Sequence, residues 1–434
     1  MDMEEFVGNV LGILALILPV VLVLILLCRI FGCNKIPLIM GSREDYSLYS
    51  PKKTDVLSVG IQALLFRLLI YYIAFLLLKL TYMSGGSYLE WWTKWDATNY
   101  IGIASGGYDE ITTDGVVNMG NGVLQTLVFL PLYPTLVAGI NYIIQNVYIS
   151  ALVVSTICFT VGIMALYLAI ANRYGKSIAE KTVILISVSP FAFYFGGMLP
   201  ESTFLMVTAL CMYFTIKRRW WLAGLMGVLC GTARLQGVII IVFMGIEWFE
   251  DKQIVEHIKN KDWKKFGEAF KVFPALLLPF MGTVIYLIVN YAYTKDFTYF
   301  MKLQSNVWAH SFTDMYHAMK CMWSSLLEYE FEIRLSVWIP QILIYFITII
   351  LMFVGLKRHK NSMIAYLLVY LIISYSTDFL ASGGRYMSAA IPFFVLLGEL
   401  CERKPVCYRW SVAMGLLLQV ILMGCHVSGW HMVT

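Results

Sequence analysis

The residues with the clearest potential for chemistry are a few charged side chains that stand alone in long apolar stretches. Glu201 is the only charged residue in positions 182–216, and Arg234 is the only one in positions 220–246. A carboxylate can take a proton from a reacting hydroxyl, and an arginine can bind a phosphate through two parallel hydrogen bonds. Isolated charges in apolar surroundings need a partner or a wet cavity, so both residues are candidates for a functional site.

A third candidate, Asp96, follows the aromatic residues Trp91, Trp92 and Trp95. Tryptophans collect at the boundary between membrane and water, where they anchor a chain at headgroup level. A carboxylate beside that boundary can act as general base toward a hydroxyl whose reaction partner arrives on a lipid. We therefore take Asp96 as the candidate catalytic base.

Simpler interpretations of these residues stay open at the level of sequence. Aspartate is a favoured residue at helix N-caps, so Asp96 would serve equally well to start a helix. Glu201 and Arg234 would also be explained if they only paired with each other.

The composition determines the setting in which these side chains act. Only 14% of the 434 residues are charged and 59% are hydrophobic, whereas soluble domains carry about 25% charged residues. Several uncharged runs exceed 20 residues, which is enough to span a bilayer as helix. This excludes a soluble enzyme, a disordered chain, a collagen and a disulfide-stapled secreted domain. It predicts an all-α polytopic membrane protein.

The apolar runs predict about 12 transmembrane helices. With the N-terminus outside, 23 of the 32 lysines and arginines fall in cytosolic loops, as the positive-inside rule requires. The net charge of +5 then reports orientation, and no nucleic-acid partner is expected. The remaining polar residues gather on the extracytoplasmic side, many in a large first loop: Lys94, Asp96, Asn99, Asp109, Glu110, Asp114, Glu201, Arg234, Asp378 and Arg385.

Two stretches affect the count of spans: positions 123–144, and the short apolar runs Trp221 to Ala233 and Gly237 to Ile246, which fall below the ~17 residues that a straight crossing needs. Positions 123–144 are apolar but contain Pro131 and Pro134, which interrupt a helix, so we predict a proline-broken re-entrant segment there. Val183 to Leu199 is expected to be a full span. We expect two parts of the chain: residues 1–55, an extra N-terminal transmembrane helix with a cytosolic basic loop, and residues 56–434, a transmembrane catalytic domain.

Six short motifs, in order between about residues 90 and 395, resemble those of the PIG-V family, the GPI mannosyltransferase II-like proteins. The longest is Lys94-Trp-Asp96-Ala-Thr-Asn-Tyr-Ile-Gly-Ile-Ala-Ser-Gly-Gly-Tyr108. The others are Phe129-Leu-Pro-Leu-Tyr-Pro134, Ser189-Pro-Phe-Ala-Phe-Tyr with Pro200-Glu201-Ser, Gly231-Thr-Ala-Arg234-Leu-Gln-Gly237, Gln304-Ser-Asn-Val-Trp308 and Gly384-Arg385-Tyr386. Each motif is weak alone, and their order gives the resemblance its weight.

The resemblance implies a GT-C type fold and a membrane glycosyltransferase of inverting mechanism. Such an enzyme passes one sugar, with mannose favoured, from a polyprenyl- or dolichyl-phosphate donor to an acceptor hydroxyl on the extracytoplasmic face, where the acceptor is a glycolipid or a glycan. Asp96 is then the base, and the lipid phosphate is expected on Arg234 and Arg385, assisted by Lys94 and Gln304. The other substrate-binding candidates are Asn99, Tyr108, Glu201, Trp308 and Asp378.

The resemblance leaves several points open. Thr98 and Asn99 stand where the eukaryotic enzymes commonly have an acidic residue or histidine, so the acceptor is not defined. No metal site or required cofactor is expected, although Asp109, Glu110 and Asp114 would suit a divalent cation if they were not simply solvated. The chain has no N-x-[ST] sequon, which favours a bacterial plasma membrane over the ER membrane.

Two rival functions are compatible with a polytopic chain. A lipid or sugar transporter or flippase would have a similar number of spans, but such proteins usually carry internal repeats, and no second copy of the Trp-Asp or Thr-Ala-Arg elements occurs here. A membrane subunit that only scaffolds a transferase is the other alternative, and its function would not depend on Asp96.

Overall fold

The structure, a computed structural model, describes residues 3–31, 49–80, 88–109, 125–306 and 311–427, and within these ranges it is helical without a β-sheet. One isolated antiparallel bridge joins Phe312 and Thr377. The α-helices are α1 (Met3–Ile30), α2 (Lys53–Leu80), α3 (Tyr88–Trp91), α4 (Asp96–Gly106), α5 (Leu132–Ile144), α6 (Val147–Tyr174), α7 (Lys176–Ser187), α8 (Glu201–Ile216), α9 (Trp220–Ala233), α10 (Ile240–Asp251), α11 (Ile254–Lys259), α12 (Trp263–Ala269), α13 (Phe273–Thr294), α14 (Tyr299–Asn306), α15 (Met315–Glu328), α16 (Phe331–Ile333), α17 (Ile339–Gly355), α18 (Asn361–Tyr375), α19 (Gly383–Ser388), α20 (Ile391–Arg403) and α21 (Pro405–Val427). Short 3₁₀ turns occupy Gly107–Asp109, Gln125–Val128, Ala192–Gly196, Leu235–Ile239 and Phe270–Val272, and a π turn occupies Arg334–Trp338.

Within the described ranges, six helical stretches are long and apolar enough to cross a membrane. They are Met3–Ile30, Lys53–Leu80, Val147–Tyr174, Trp263–Thr294, Phe331–Gly355 and Pro405–His426. Four further apolar helices, α5, α8, α9 and α18, have only 10–17 residues. The predictions of an all-helical chain and of several candidate spans are confirmed, and the full count of about twelve stays a prediction.

The expected span from Val183 to Leu199 is wrong. Helix α7 ends at Ser187, and positions 188–200 form turns around the 3₁₀ segment Ala192–Gly196. Proline at position 190 disfavours helical backbone at the residue before it and lacks an amide donor. This stretch, which we call the 188–200 segment, leads directly into α8.

Side chains from neighbouring helices bind the free carbonyl groups of the 188–200 segment. The Tyr71 hydroxyl donates to the Gly196 carbonyl at 3.0 Å, and the Ser155 hydroxyl donates to the Gly197 carbonyl at 2.7 Å. Arg67 donates to the Ala192 carbonyl at 3.4 Å. Irregular backbone inside an apolar protein is stable only when its polar groups have such partners. Helices α2 and α6 therefore fix this segment in place.

The stretch with Pro131 and Pro134 forms a short helix rather than a full span. After the 3₁₀ turn Gln125–Val128, α5 begins at Leu132 and ends at Ile144. Thirteen helical residues rise by about 20 Å, less than the ~30 Å of a hydrocarbon core. Both prolines lie at the start of α5, where a missing amide donor costs least.

Helices α8 and α9 form an antiparallel pair that defines two ends of the molecule. Glu201 begins α8 and Arg234 directly follows α9, while Arg218 lies in the turn between the two helices. The 16 residues of α8 separate these ends by about 24 Å. We call them the Glu201 end and the Arg218 end.

Helix α1 packs on α15 and α17. The Tyr316 hydroxyl donates to the Asn9 side chain at 2.7 Å, and the Tyr345 hydroxyl donates to the Ala15 carbonyl at 2.7 Å. The division into residues 1–55 and 56–434 stays a prediction, because these contacts do not show whether the second part folds without the first.

Candidate functional site

Four charged side chains that are distant in sequence form one continuous network at the Glu201 end. Arg385 Nη1 donates to Asp96 Oδ2 at 2.6 Å, and Arg385 Nε donates to Glu201 Oε1 at 2.5 Å. Arg234 Nη1 donates to the same Glu201 oxygen at 2.8 Å. The order of charges is negative, positive, negative, positive. We call this chain of side chains the Glu201 network.

Burial differs strongly along the Glu201 network. The side chains of Glu201, Arg385 and Arg234 are 0%, 4% and 7% exposed, whereas Asp96 is 30% exposed. Burying charges is costly, and the alternation of sign offsets part of that cost. Asp96 is therefore the member through which solvent or a substrate reaches the network.

A strained turn places Asp96. Trp95 has φ +57° and ψ −131°, and the amide of Ala97 donates to the Lys94 carbonyl at 3.3 Å. Few residues with a Cβ adopt this conformation, and it costs about 1–3 kcal/mol. Trp95 occupies the N-cap position and Asp96 is the first residue of α4, so the interpretation of Asp96 as the N-cap is wrong. Its carboxylate binds Arg385 instead.

The other three members lie where helices begin or break. Glu201 opens α8 directly after Pro200, a position where the helix dipole favours a negative charge. Arg234 has extended backbone between α9 and the turn Leu235–Ile239. Arg385 lies in the short helix α19. The alternative that Glu201 and Arg234 pair with each other is confirmed, but the pair is part of a larger network.

Two motif glycines allow the close approaches that this arrangement needs. A Cβ at position 384 would lie 2.4 Å from the Phe191 ring, so α19 could not contact the 188–200 segment with a larger residue there. A Cβ at position 237 would lie 1.8 Å from the Cys230 carbonyl oxygen, where the chain folds back after Arg234. Both glycines position arginines of the network.

Aromatic rings cover both arginines. The Arg234 guanidinium carbon lies 4.8 Å from the ring centre of Tyr386, and that of Arg385 lies 5.6 Å from the ring centre of Tyr194. Such contacts stabilise a cation in apolar surroundings. We did not predict roles for Tyr194 and Tyr386. The sequence offered one signal for each: Tyr386 directly follows Arg385, and Tyr194 ends the motif that begins with Ser189 and Pro190.

Two more predicted residues lie close to Asp96 along the chain. Asn99, one turn later in α4, is 2% exposed, and its side-chain oxygen has no hydrogen-bond partner among the described residues. Lys94 is partly buried, and this burial lowers the pKa of its ammonium group. A negatively charged ligand beside Lys94 would favour its protonated form.

Other predicted site residues make their contacts elsewhere. The Tyr108 hydroxyl donates to the Phe129 carbonyl at 2.7 Å, and the Tyr108 ring packs on Tyr293. Asp378 is exposed and accepts a hydrogen bond from the Ser311 amide at 2.9 Å, beside the bridge between Phe312 and Thr377. Gln304 is half-buried on α14. Among the described residues, no hydrogen bond or ion pair joins the four network side chains to Gln304, Tyr108 or Asp378.

Four of the predicted residues fall in two outer loops of which the structure describes only part. Trp308, Glu110 and Asp114 lie outside the described residues, and nothing is described of the Asp109 side chain. Within the described ranges, no group of three or more histidines, cysteines, aspartates or glutamates is placed to hold a metal ion.

A second charged network occupies the Arg218 end, and we did not predict it. Both nitrogens Nη1 and Nη2 of Arg173 donate to Glu247, at 2.7 and 2.6 Å. Arg218 Nη1 donates to Glu247 at 3.0 Å, and Arg218 Nε lies 2.8 Å from Asp251. The Ser362 hydroxyl also donates to Glu247. We call the four charged residues the Glu247 network.

Comparisons of the chain with models of protein families, with curated proteins and with solved structures gave no match. The chemistry of the Glu201 network is therefore inferred from its own geometry. A network that begins with an accessible carboxylate and contains two buried arginines can accept a proton at its exposed end and bind an anion through its arginines.

Proposed function

We propose that this protein is a membrane glycosyltransferase that takes one sugar, mannose, from a polyprenyl- or dolichyl-phosphate donor. The sugar passes to a hydroxyl of a glycolipid or glycan acceptor with inversion at the anomeric carbon. In this proposal the fold is of GT-C type with about twelve spans, and the Glu201 end faces the extracytoplasmic side of a bacterial plasma membrane.

The observation that carries the proposal is the placement of Asp96 in the Glu201 network. One carboxylate remains 30% exposed while the two arginines beyond it are almost fully buried. Transfer from a lipid phosphate needs a base for the acceptor hydroxyl and cations for the departing phosphate. The network supplies both within one set of contacting side chains.

The reaction needs no covalent intermediate on the protein. The acceptor oxygen attacks the anomeric carbon as its proton passes to Asp96, and the bond between that carbon and the phosphate oxygen breaks. The bonding electrons stay with the phosphate, whose added charge is stabilised by Arg385 and Arg234. Arg234 uses only Nη1 for Glu201, so its other nitrogens have no hydrogen-bond partner among the described residues and are available as donors.

The proposal is tested with purified protein in vesicles that contain polyprenyl-phosphate-mannose and a glycolipid extract as acceptor. We expect Asp96→Asn to lower sugar transfer by more than about 100-fold, which is the scale of a lost general base. Glu90→Gln is the matched control because Glu90 is exposed, precedes Asp96 in the same loop and loses the same charge. This control should keep the wild-type rate.

Other results would contradict specific parts of the proposal. Equal transfer by wild type and a folded Asp96→Asn variant would remove Asp96 from catalysis. Movement of labelled polyprenyl phosphate across the bilayer without any sugar transfer would instead favour the transporter.

A further inference from the structure

The Glu201 network has a single accessible member, which limits how an anion can reach its arginines. Asp96 is 30% exposed, whereas Arg385 is 4% exposed and lies between Asp96 and the fully buried Glu201. An anion that approaches Arg385 from solvent therefore arrives on the side where Asp96 is bound. Asp96 and an incoming anion compete for the same guanidinium.

The contact between Asp96 and Arg385 is also the one best suited to exchange. It consists of one hydrogen bond, from Nη1 to Oδ2. Arg173 and Glu247, by contrast, share two parallel hydrogen bonds. A two-bond fork is stronger and more restrictive in geometry than a single bond, and a partly exposed pair is weakened by solvent.

Charge balance favours replacement of Asp96 over simple addition of an anion. The network holds two carboxylates and two arginines, so its net charge is zero when all four side chains are ionised. An added phosphate would leave excess negative charge in a buried site, which is costly. A phosphate that takes the place of Asp96 keeps one anion on each side of Arg385.

We propose that the donor phosphate binds Arg385 by displacing Asp96, so that the carboxylate becomes free to act as base only after the donor has bound. This inference rests on the proposed function. A base must lie within hydrogen-bond reach of the hydroxyl that it deprotonates, and before the exchange Asp96 Oδ2 is occupied by Arg385 Nη1. Asp96 is already the most exposed member of the network, so its displaced carboxylate lies on the solvent side, where an acceptor hydroxyl can reach it. Donor binding therefore precedes activation of the acceptor.

The exchange predicts that loss of Asp96 abolishes transfer and yet strengthens phosphate binding. The test is calorimetric titration of a water-soluble short-chain isoprenyl phosphate into purified protein at fixed ionic strength. We expect Asp96→Asn to bind the probe about tenfold more tightly than wild type, the scale of one charge-assisted hydrogen bond. Glu90→Gln, with the same loss of charge nearby, should bind like wild type.

A second variant identifies Arg385 as the group for which the two anions compete. Arg385→Lys keeps a positive charge and loses the planar arrangement of donors. In the double variant Asp96→Asn with Arg385→Lys, the tighter binding should disappear. If the double variant still binds the isoprenyl phosphate more tightly, Asp96 and the phosphate do not compete for Arg385, and the proposed displacement is wrong.

The remaining outcomes separate this inference from the proposed function. If the probe binds and sugar is transferred, but Asp96→Asn binds the probe no more tightly than wild type, the phosphate binds alongside Asp96 and the exchange is wrong. If no variant binds the probe and none transfers sugar, the proposed function fails as well. Inorganic phosphate should bind at least about tenfold more weakly than the isoprenyl phosphate, because it lacks apolar surface to bury. Equal affinity would indicate a site for free phosphate and would overturn the assignment to a lipid donor.

Discussion

The two charged networks contain the same kinds of residues but differ in how fully the central glutamate is hydrogen-bonded. Each joins two arginines and two carboxylates in an alternating order, and each has one buried glutamate between its arginines. Glu247 accepts four hydrogen bonds, two on each oxygen: from Arg173 twice, from Arg218 and from Ser362. Glu201 accepts two, both on Oε1, and its buried Oε2 has no partner among the described residues.

This difference separates a structural ion cluster from a candidate site. A carboxylate offers about four acceptor positions, and Glu247 uses all of them, so this glutamate has no position left for a ligand. Among the described residues, Glu201 Oε2 and the remaining side-chain nitrogens of Arg234 have no hydrogen-bond partner. Completeness of hydrogen bonding, rather than the number of charges, is the feature that distinguishes the two ends.

The largest expected effect tests the structural side of this comparison. Glu247 is only 2% exposed, and Glu247→Gln leaves Arg173, which is 10% exposed, without its carboxylate. Arg218 keeps only its contact with Asp251. Breaking a buried pair in this way costs about 3–5 kcal/mol of unfolding free energy. Denaturant unfolding in detergent measures the loss. Glu402→Gln, which removes a 38% exposed partner of Lys181, should cost less than about 1 kcal/mol. Equal losses in the two variants would show that the Glu247 network does not stabilise the fold.

Isolation of charges was a good guide to the Glu201 network. Glu201 and Arg234 are each alone in more than 25 residues of uncharged sequence, and both lie in the network. The Glu247 network was missed for the opposite reason. Its arginines and carboxylates come from charged loops that informed only the orientation, and their pairing depends on how α6, α8, α10 and α18 pack.

The 188–200 segment shows a second limit of the sequence. Its residues are apolar enough for a span, but the turns depend on hydrogen bonds from Tyr71 and Ser155, which are distant in the chain. Tyr108 was grouped with the site because it ends the motif that contains Asp96, and Asp378 was grouped with it because it shares the predicted side of the membrane. A shared side does not specify contact, and their partners are Phe129 and Ser311.

An intermediate effect on stability is expected from breaking the pair of Glu201 and Arg234 within the Glu201 network. Glu201→Gln and Arg234→Met each remove one member of a buried pair, and the double variant removes both. Contacting charges are energetically coupled, so the double variant should lose about 1–3 kcal/mol less than the sum of the single losses. Unfolding of all three variants in detergent gives the coupling energy.

A second double-mutant cycle, with Glu201 and Arg385, checks the result for Glu201 and Arg234. Because Arg385 also binds Glu201 Oε1, the variant Glu201→Gln leaves two arginines with weakened partners, and Arg385 keeps only Asp96. The same cycle with Arg385→Met should therefore show coupling of similar size. Additive losses in both cycles would mean that Glu201 is not shared between the arginines.

The smallest effect on stability is expected at Arg67, a buried arginine that pairs with no carboxylate among the described residues. Its side chain is 0% exposed, its guanidinium carbon lies 4.1 Å from the Phe159 ring centre, and Nε and Nη2 have no partner among the described residues. The cost of burying this charge offsets its contacts. Arg67→Met keeps most of the apolar stem and should change the unfolding free energy by less than about 1 kcal/mol, or raise it.

The matched variant Arg173→Met separates the effect of pairing from that of burial. Arg67 is 0% exposed and the Arg173 side chain is 10% exposed, but Arg173→Met leaves Glu247 without its two-bond partner and should lose several kcal/mol, on the order of 3–5. Arg67→Met should also slow sugar transfer although the protein keeps its stability. Arg67 donates a hydrogen bond to the Ala192 carbonyl in the 188–200 segment, which leads into Glu201, and the variant removes this donor. If Arg67→Met destabilises the protein as much as Arg173→Met, burial rather than pairing determines what an arginine contributes, and hydrogen-bond completeness no longer separates the two networks.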